Sequence, residues 1–348
     1  MSAAYFVQAI DPIACAQILQ ELWLGSLTES QWLEPKHAWF YQGHVTEVPR
    51  VQALCHGDEA KVVGVGAVGA RMLMCEGQAL RAGIRVDFAV APQHRTLFPA
   101  MQLQRAVAVD GLAHDDLLYG VPNASAEKVL RRIGFNREIS VVRYARIVGW
   151  GAYLSKVMPG WMALPCGKVA EAVHQAYLRI KRVLFAGSDG DWLSQFDERF
   201  DRLWQQCAQG TSLIGERSGA YLHWRFGQIP YKQHDVFALT HRGSGRLQGY
   251  AVIMPDGDTW HIQDLLVEGH DPLLIDALIT RLSIEAHNQG VTSLSFCFAG
   301  PQSVVQALQD TGCRPRESRP VFVSWPDASE HRALLMRDWY FTAADEDQ

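Results

Sequence analysis

The 348-residue chain lacks the sequence devices by which small secreted domains hold themselves together. Its seven cysteines, Cys15, Cys55, Cys75, Cys166, Cys207, Cys297 and Cys313, are odd in number, scattered, and nowhere in CxxC spacing. That argues against a disulfide framework and against a structural zinc site. Thirteen histidines offer no HxxxH or HxH pair, so no metal chemistry is expected. There is no polybasic run, and 32 Lys+Arg against 37 Asp+Glu leaves a net charge of −5. Such a chain has no general pull on nucleic acid or anionic lipid. The longest mostly apolar stretch, Val62 to Cys75, is too short to span a bilayer and contains Arg71. The opening MSAAYFVQAIDPIACAQ has no basic leader region and carries Asp11 in its apolar part, unlike a signal peptide. No GxSxG, P-loop or Cys-His signature supports a hydrolase or phosphotransferase. A soluble cytoplasmic protein is the expectation.

What is present suits a globular α/β protein. Hydrophobic residues make up 48% and charged residues 20%, and the length allows two or three domains. Patterning predicts a helix over about 12–24, then strands near 50–55, 61–74 and 80–90, the last two joined by a turn at Gly77. A helix follows over about 99–111, with Ala100, Leu103 and Val107 on one face. A short strand at 116–120 leads through VPN to a helix at 125–132, stopped by Gly134, and 139–147 reads as another strand. Residues 148–190 contain Trp150, Pro159, Trp161 and Pro165, then a helix over about 168–184. Its apolar face carries Val169, Val173, Tyr177, Ile180 and Leu184, the pattern of a connector packed on a domain.

The rest repeats the first half. Strands at 245–253 and 260–267 match 61–74 and 80–90, and Asp264 falls where Asp87 does, 177 residues later. Helix 272–287, strand 291–298 and helix 303–310 complete the parallel. GVPNASAEKVLRRIGF (120–135) and AGPQSVVQALQDTGC (299–313) each run from a Pro-led turn through a short helix to a closing Gly. Two copies of one α/β unit are expected: 1–147, a connector at 148–190, and 191–348.

Three segments carry candidate chemistry. Gly64-Val-Gly66-Ala-Val-Gly69 fits GxGxxG, but the following residues reach Glu76-Gly77 too soon for the helix a dinucleotide site needs. A Gly-rich strand in a hairpin fits better. The segment IRVDFAVAPQHRTLFPAMQLQRAV (84–107) is a strand, a tight loop and a helix whose N-terminus can meet a pyrophosphate, with His94 and Arg95 adding positive charge. Asp87 is either a proton acceptor or the partner of a neighbour such as Arg85 or Arg71. In ERSGAYLHWRF, Arg217, Tyr221, Trp224 and Arg225 either hold a sugar or anionic acceptor or form an amphipathic helix with snorkelled arginines.

Segment 84–107 resembles motif A of the GCN5-related N-acetyltransferase (GNAT) superfamily, and Gly120–Phe135 resembles motif B. The strings WYFTAADED and YLHWRF also resemble tandem-GNAT acyltransferases associated with bacterial exopolysaccharide genes. The resemblance implies two tandem GNAT-like domains with mixed, mostly antiparallel sheets, the second degenerate. It implies an acyl-CoA, acetyl-CoA first among them, held by Val90, His94, Arg95, Thr96, Phe98, Ala100 and Asn123. Asp87 would be the base and Tyr119 the acid returning a proton to the thiolate. Arg217, Tyr221 and Arg225 would touch a small-molecule or glycan acceptor. The loop departs from the family pattern at Phe98, where a glycine is usual, and at Pro99, which removes one N–H. The second loop, DLLVEGHDPLLIDA, carries Glu268 and Asp271, which repel a pyrophosphate. A Fem-like aminoacyl transferase and a catalytically inactive tandem pair are the alternatives. The former lacks its expected heptad arm here.

Overall fold

The computed structural model describes residues 5–24, 29–326 and 337–346. Met1–Ala4, where the leader reading begins, lie outside them. The first half runs β1 (Tyr5–Ile10), α1 (Ala16–Trp23), α2 (Leu33–His37), β2 (Arg50–His56), β3 (Lys61–Cys75) and β4 (Gln78–Val90). It continues through α3 (Leu97–His114), β5 (Leu117–Gly120), α4 (Ala124–Arg132) and β6 (Asn136–Ile147). Two connecting helices follow, α5 (Trp150–Val157) and α6 (Gly160–Leu184). The second half opens with β7 (Ser188–Leu193), α7 (Glu198–Cys207), β8 (Leu213–Gly215) and α8 (Gly219–Leu222). It then gives β9 (Asp235–His241), β10 (Leu247–Asp256), β11 (Thr259–Val267), α9 (Pro272–Asn288), β12 (Ser293–Phe298), α10 (Gln302–Asp310), β13 (Arg314–Ser324) and β14 (Trp339–Tyr340). The boundary expected at 190/191 therefore falls inside a strand, β7.

All these strands join one sheet, in the order β1-β2-β3-β4-β5-β13-β6-β12-β11-β10-β9-β7, with β8 and β14 at its side. Neighbours are antiparallel except β4–β5, β11–β12 and β8–β14. The crossovers that make the first two of these parallel pairs are helical, α3 in one half and α9 in the other, as parallel neighbours require. The last strands of the halves are exchanged. β13, from the end of the second half, lies between β5 and β6 of the first. In turn β6 pairs with β12 of the second half. The main hydrophobic core accordingly spans both halves, and a smaller one lies between the first half's sheet and α3 and α4.

The repeat extends to the helices before each hairpin. α2 and α8 each run into a single π turn, Ala38–Gln42 and His223–Gly227. Trp39 and Trp224, the second residue of each, stack with ring centres 5.0 Å apart at 17°. Each indole N–H donates to the other's carbonyl, at 2.9 and 3.3 Å. This reciprocal pair is what a pseudo-twofold axis between two copies of one unit produces.

The Gly-rich stretch lies wholly within β3, as a hairpin strand rather than a phosphate loop. Its glycines allow close approach: a Cβ on Gly66 would sit 3.1 Å from Val107, and one on Gly69 2.9 Å from Phe40. The connector departs from expectation. Helix α6 includes Pro165, and the five residues of its apolar stripe are 46–74% exposed. The stripe that meets α9 instead holds buried Leu178, with Lys181 bound to Asp276 at 2.5 Å and Glu171 to His287 at 2.9 Å.

Candidate active-site cleft

The cleft arises where β4 and β5 part. Their pairing ends at Ile84 opposite Tyr119, and β5 stops at Gly120. Beyond that point Arg85–Phe88 of β4, and Gly120 with the Val121–Asn123 that follow β5, line a cavity of about 270 Å³. Gln104 and Val107 of α3, and Ala126 and Leu130 of α4, close one side, while Lys36 reaches the other. The β3–β4 ladder shifts register here, with Asp87 and Phe88 facing Gly66. Asp87 takes φ +52°, unusual for a residue with a side chain. Such a bulge interrupts the ladder and leaves backbone groups without a strand partner.

Among the described residues, Asp87 is the only carboxylate in the cavity wall. It is buried, and its partners are neither of the arginines that the sequence offered as one alternative. Lys36 forms an ion pair with Oδ1, and the Tyr41 hydroxyl donates to Oδ2 at 2.8 Å. Both partners come from the α2–π-turn segment, some fifty residues upstream, where nothing local to the strand announces them. Burial, and then the Asp87 charge, pushes the Tyr41 phenol well above its ordinary value, so it stays a donor. Lys36 also lies 5.2 Å from the Trp23 ring. Arg71 bonds instead to His44 at 3.2 Å and to the Ala70 carbonyl.

Arg85 is the residue the sequence reading undervalued. Its three guanidinium nitrogens are shielded from solvent, and none makes a hydrogen bond among the described residues. The guanidinium carbon lies 4.4 Å from the Phe135 ring centre. Burial lowers its pKa to about 9.

The expected loop residues sit at the β4–α3 turn, outside the cavity wall. Val90 ends β4, and its carbonyl accepts from Arg95 Nε at 2.6 Å. His94 bonds to the Tyr5 hydroxyl at 2.8 Å. Desolvation, then His56 and Lys61, hold His94 below the ordinary histidine range. That favours the neutral ring over the positive charge expected of it. Thr96 is the N-cap of α3, yet its side chain makes no capping bond. The first-turn N–H groups of Leu97 and Phe98 thus lack the usual side-chain cap. Phe98 is 69% exposed, so its ring stands in solvent. Ala100 N–H closes the first turn onto the Thr96 carbonyl at 3.3 Å. Asn123 lines the cavity, and its Oδ1 accepts from Ala126 N–H at 2.9 Å, starting α4.

Four expected site residues lie elsewhere. Tyr119 is fully buried between Trp339 and Phe341, and its hydroxyl donates to the Asp345 carbonyl at 2.9 Å. It does not line the cavity. Arg217, Tyr221 and Arg225 are also buried, and are neither acceptor contacts at this cleft nor snorkelled surface arginines. Arg217 bonds to Asp264 at 3.1 Å, to Asp345 at 2.5 Å and to Thr342 at 3.1 Å. Burial alone would lower its pKa, but Asp264 and Asp345 hold it well above the ordinary value. Tyr221 donates to the Ala344 carbonyl at 2.8 Å, and Arg225 to the carbonyls of Ala343 and Glu346. All four groups fasten the C-terminal segment 339–346.

That segment fills the corresponding gap of the second half. The β11–β12 pairing ends at Ile262 opposite Phe296. Beyond it, Phe341 bridges Ala299, Tyr340 donates to the Leu265 carbonyl, and Thr342 donates to Asp264 at 2.7 Å. The helix after β11 is also occupied at its N-terminus. Asp271 caps α9 by accepting from Leu273 N–H at 2.8 Å, and Glu268 pairs with Arg246 at 2.5 Å. The two acids expected to repel an anion thus satisfy the protein's own groups.

No family model matches the chain, and no curated protein matches it. Solved structures do. A conserved protein from Enterococcus faecalis V583, described as a probable N-acyltransferase, superposes with TM-score 0.65 at 11% identity. The match covers 92% of this chain and 72% of that one. A tandem GNAT protein from the clavulanic acid biosynthesis pathway gives TM-score 0.53 at 10% identity, covering 92% and 98%. Saccharomyces cerevisiae N-myristoyltransferase with bound myristoyl-CoA gives 0.50 at 12% identity, covering 92% and 82%. At these identities the likeness is one of fold: the chain is built of two tandem GNAT-like domains.

Proposed function

We propose that the chain transfers an acyl group from an acyl-CoA to an amine or hydroxyl acceptor, at the β4–β5 cleft of its first half. The observation that carries this reading is the open cleft itself, with a backbone bulge and one carboxylate at Asp87. The uncapped N-terminus of α3, with Arg95 beside it, suits the phosphates of the thioester substrate. Val90, Thr96, Ala100 and Asn123 border its path, and Phe98, standing outward, leaves the first-turn N–H groups approachable. The bulge offers a backbone donor for the thioester carbonyl, and Asp87 receives the acceptor's proton directly or through water. Acetyl is the acyl group and a sugar of an envelope polysaccharide the acceptor that the sequence resemblance supplies. Support for a thioester donor comes from the yeast N-myristoyltransferase, a protein of similar fold that holds myristoyl-CoA.

Calorimetry with acetyl-CoA tests the donor: binding should weaken in Arg95→Ala and hold level or tighten in Phe98→Gly. Absence of heat for every thioester at high micromolar concentration removes the reading. In a coupled thiol-release assay, Asp87→Asn should keep binding and lose on the order of 10²–10⁴ in turnover. One observation favours a second reading, a cleft that binds without reacting: both Asp87 oxygens already accept bonds, from Lys36 and Tyr41. Thioester binding with no thiol release for any amine or alcohol would select it.

A further inference from the structure

We infer that the cleft is built to receive a carboxylate on its substrate, and that Arg85 is the group that binds it. The inference rests on the acyl-transfer reading only for which substrate carries the carboxylate. A buried guanidinium with no hydrogen bond is costly, and proteins normally satisfy such groups. Arg85 has all three nitrogens unsatisfied, in the wall of the opening between β4 and β5. Asp87, two residues on, does not serve it. Its oxygens turn to Lys36 and Tyr41, whereas Arg85 lies against Phe135. Contact with the Phe135 ring leaves the donors of its fork unsatisfied, and the geometry of that fork matches a planar two-oxygen group.

Charge narrows the ligand. Among the described residues the cavity wall holds three charged side chains, Lys36, Arg85 and Asp87. Lys36 is neutralised by Asp87. One positive charge remains, which matches a monoanionic carboxylate better than a dianionic phosphate. Position narrows it further. Arg85 is five residues before Val90, about 15 Å along an extended strand from the α3 turn. Phosphates held at that turn cannot also reach Arg85, so the anion belongs to the reacting end: the acyl chain or the acceptor.

The test uses the intact protein, Arg85→Met and Arg85→Lys. Thermal shift with propionate alone asks whether a monoanionic carboxylate is bound without any thioester. The wild type should be stabilised, Arg85→Lys less so, and Arg85→Met not at all. Without ligand, Arg85→Met should melt higher than the wild type, because an unpaired buried charge has gone. Calorimetry of succinyl-CoA against acetyl-CoA tests the donor, and thiol release with alanine against ethylamine tests the acceptor. One pair should show a preference of tenfold or more for the carboxylate, lost in Arg85→Met. A propionate response with no thioester binding would keep the carboxylate site and remove the transferase reading. Acetyl-CoA binding with no propionate response and no carboxylate preference in either pair would overturn the inference and leave the transferase reading standing. A preference that survives in Arg85→Met would overturn it as well.

Discussion

Asp87 and Asp264 occupy matching places in the two halves and have been put to different use. Asp264 is sealed between Arg217, Tyr250 and Thr342, with no exposure to solvent. Asp87 is held by Lys36 and Tyr41 but still borders an open cavity. The Lys36–Asp87 pair predicts a non-additive mutant cycle. Lys36→Met should cost about 3–5 kcal/mol in urea unfolding, because it strands a buried carboxylate. Lys36→Met combined with Asp87→Asn should cost clearly less than the two singles together, since both charges leave at once. Strict additivity would mean the two groups do not share a bond in solution. Asp87 was readable as special from an acid in an apolar strand, but its partners were not. They depend on where the α2 segment packs, which strand periodicity does not encode.

Helix α6 separates an amphipathic pattern from a buried one. Its five-residue apolar stripe faces outward, while Leu178 and the Glu171 and Lys181 pairs meet α9. Val173→Glu and Ile180→Glu should therefore change folding stability by no more than about 0.5 kcal/mol, whereas Leu178→Ala should cost about 2–5 kcal/mol. Urea titrations followed by circular dichroism decide between them. A large loss in Val173→Glu would place that stripe against the fold after all. The helices α3 and α9 show the converse case, in which local spacing sufficed. Leu103 and Val107, and Leu278 and Leu282, are buried as their periodicity requires.

Exchange of β6 and β13 makes the molecule one cooperative object. Without β13, the first half has an unfilled place between β5 and β6, with unpaired backbone groups on both strands. The full chain should unfold in one transition, and a 1–147 fragment should lack the dispersed amide spectrum of a folded domain. A well-dispersed fragment spectrum would show that the exchange is dispensable. Acid should also weaken the whole. Burial, with Arg71 adding, lowers His44 from 6.5 to about 3, and burial lowers His234 and His270 to about 4. Between about pH 6.5 and 4 the unfolded chain therefore binds more protons than the folded one. Stability present above about pH 6.5 is lost as pH falls through that window, by on the order of several kcal/mol at its end. Urea midpoints at pH 7.5, 6 and 5 should fall in that order, and His270→Gln should flatten the slope.

Local signals in the chain were enough for the alternation of strands and helices, the duplication at 177-residue spacing, and the strand-loop-helix that ends at the candidate cleft. Each of these is written in periodicity, in Gly- and Pro-marked turns, or in self-similarity, and needs no knowledge of distant neighbours. Asp87 and the acids of the second loop stood out in the same way, because an acid in an apolar strand or near a helix start must find a partner. Which partners those were came from folding alone. Arg217, Tyr221 and Arg225 read as surface chemistry until segment 339–346 lies against them. Tyr119 read as an acid until its hydroxyl meets the Asp345 carbonyl. Arg85 read as a possible partner of Asp87 until Asp87 turns to Lys36 and Tyr41 and leaves its guanidinium without a hydrogen bond. Charge and hydrogen-bonding capacity are local properties of a residue, but their satisfaction depends on which segments the fold brings within a few ångströms.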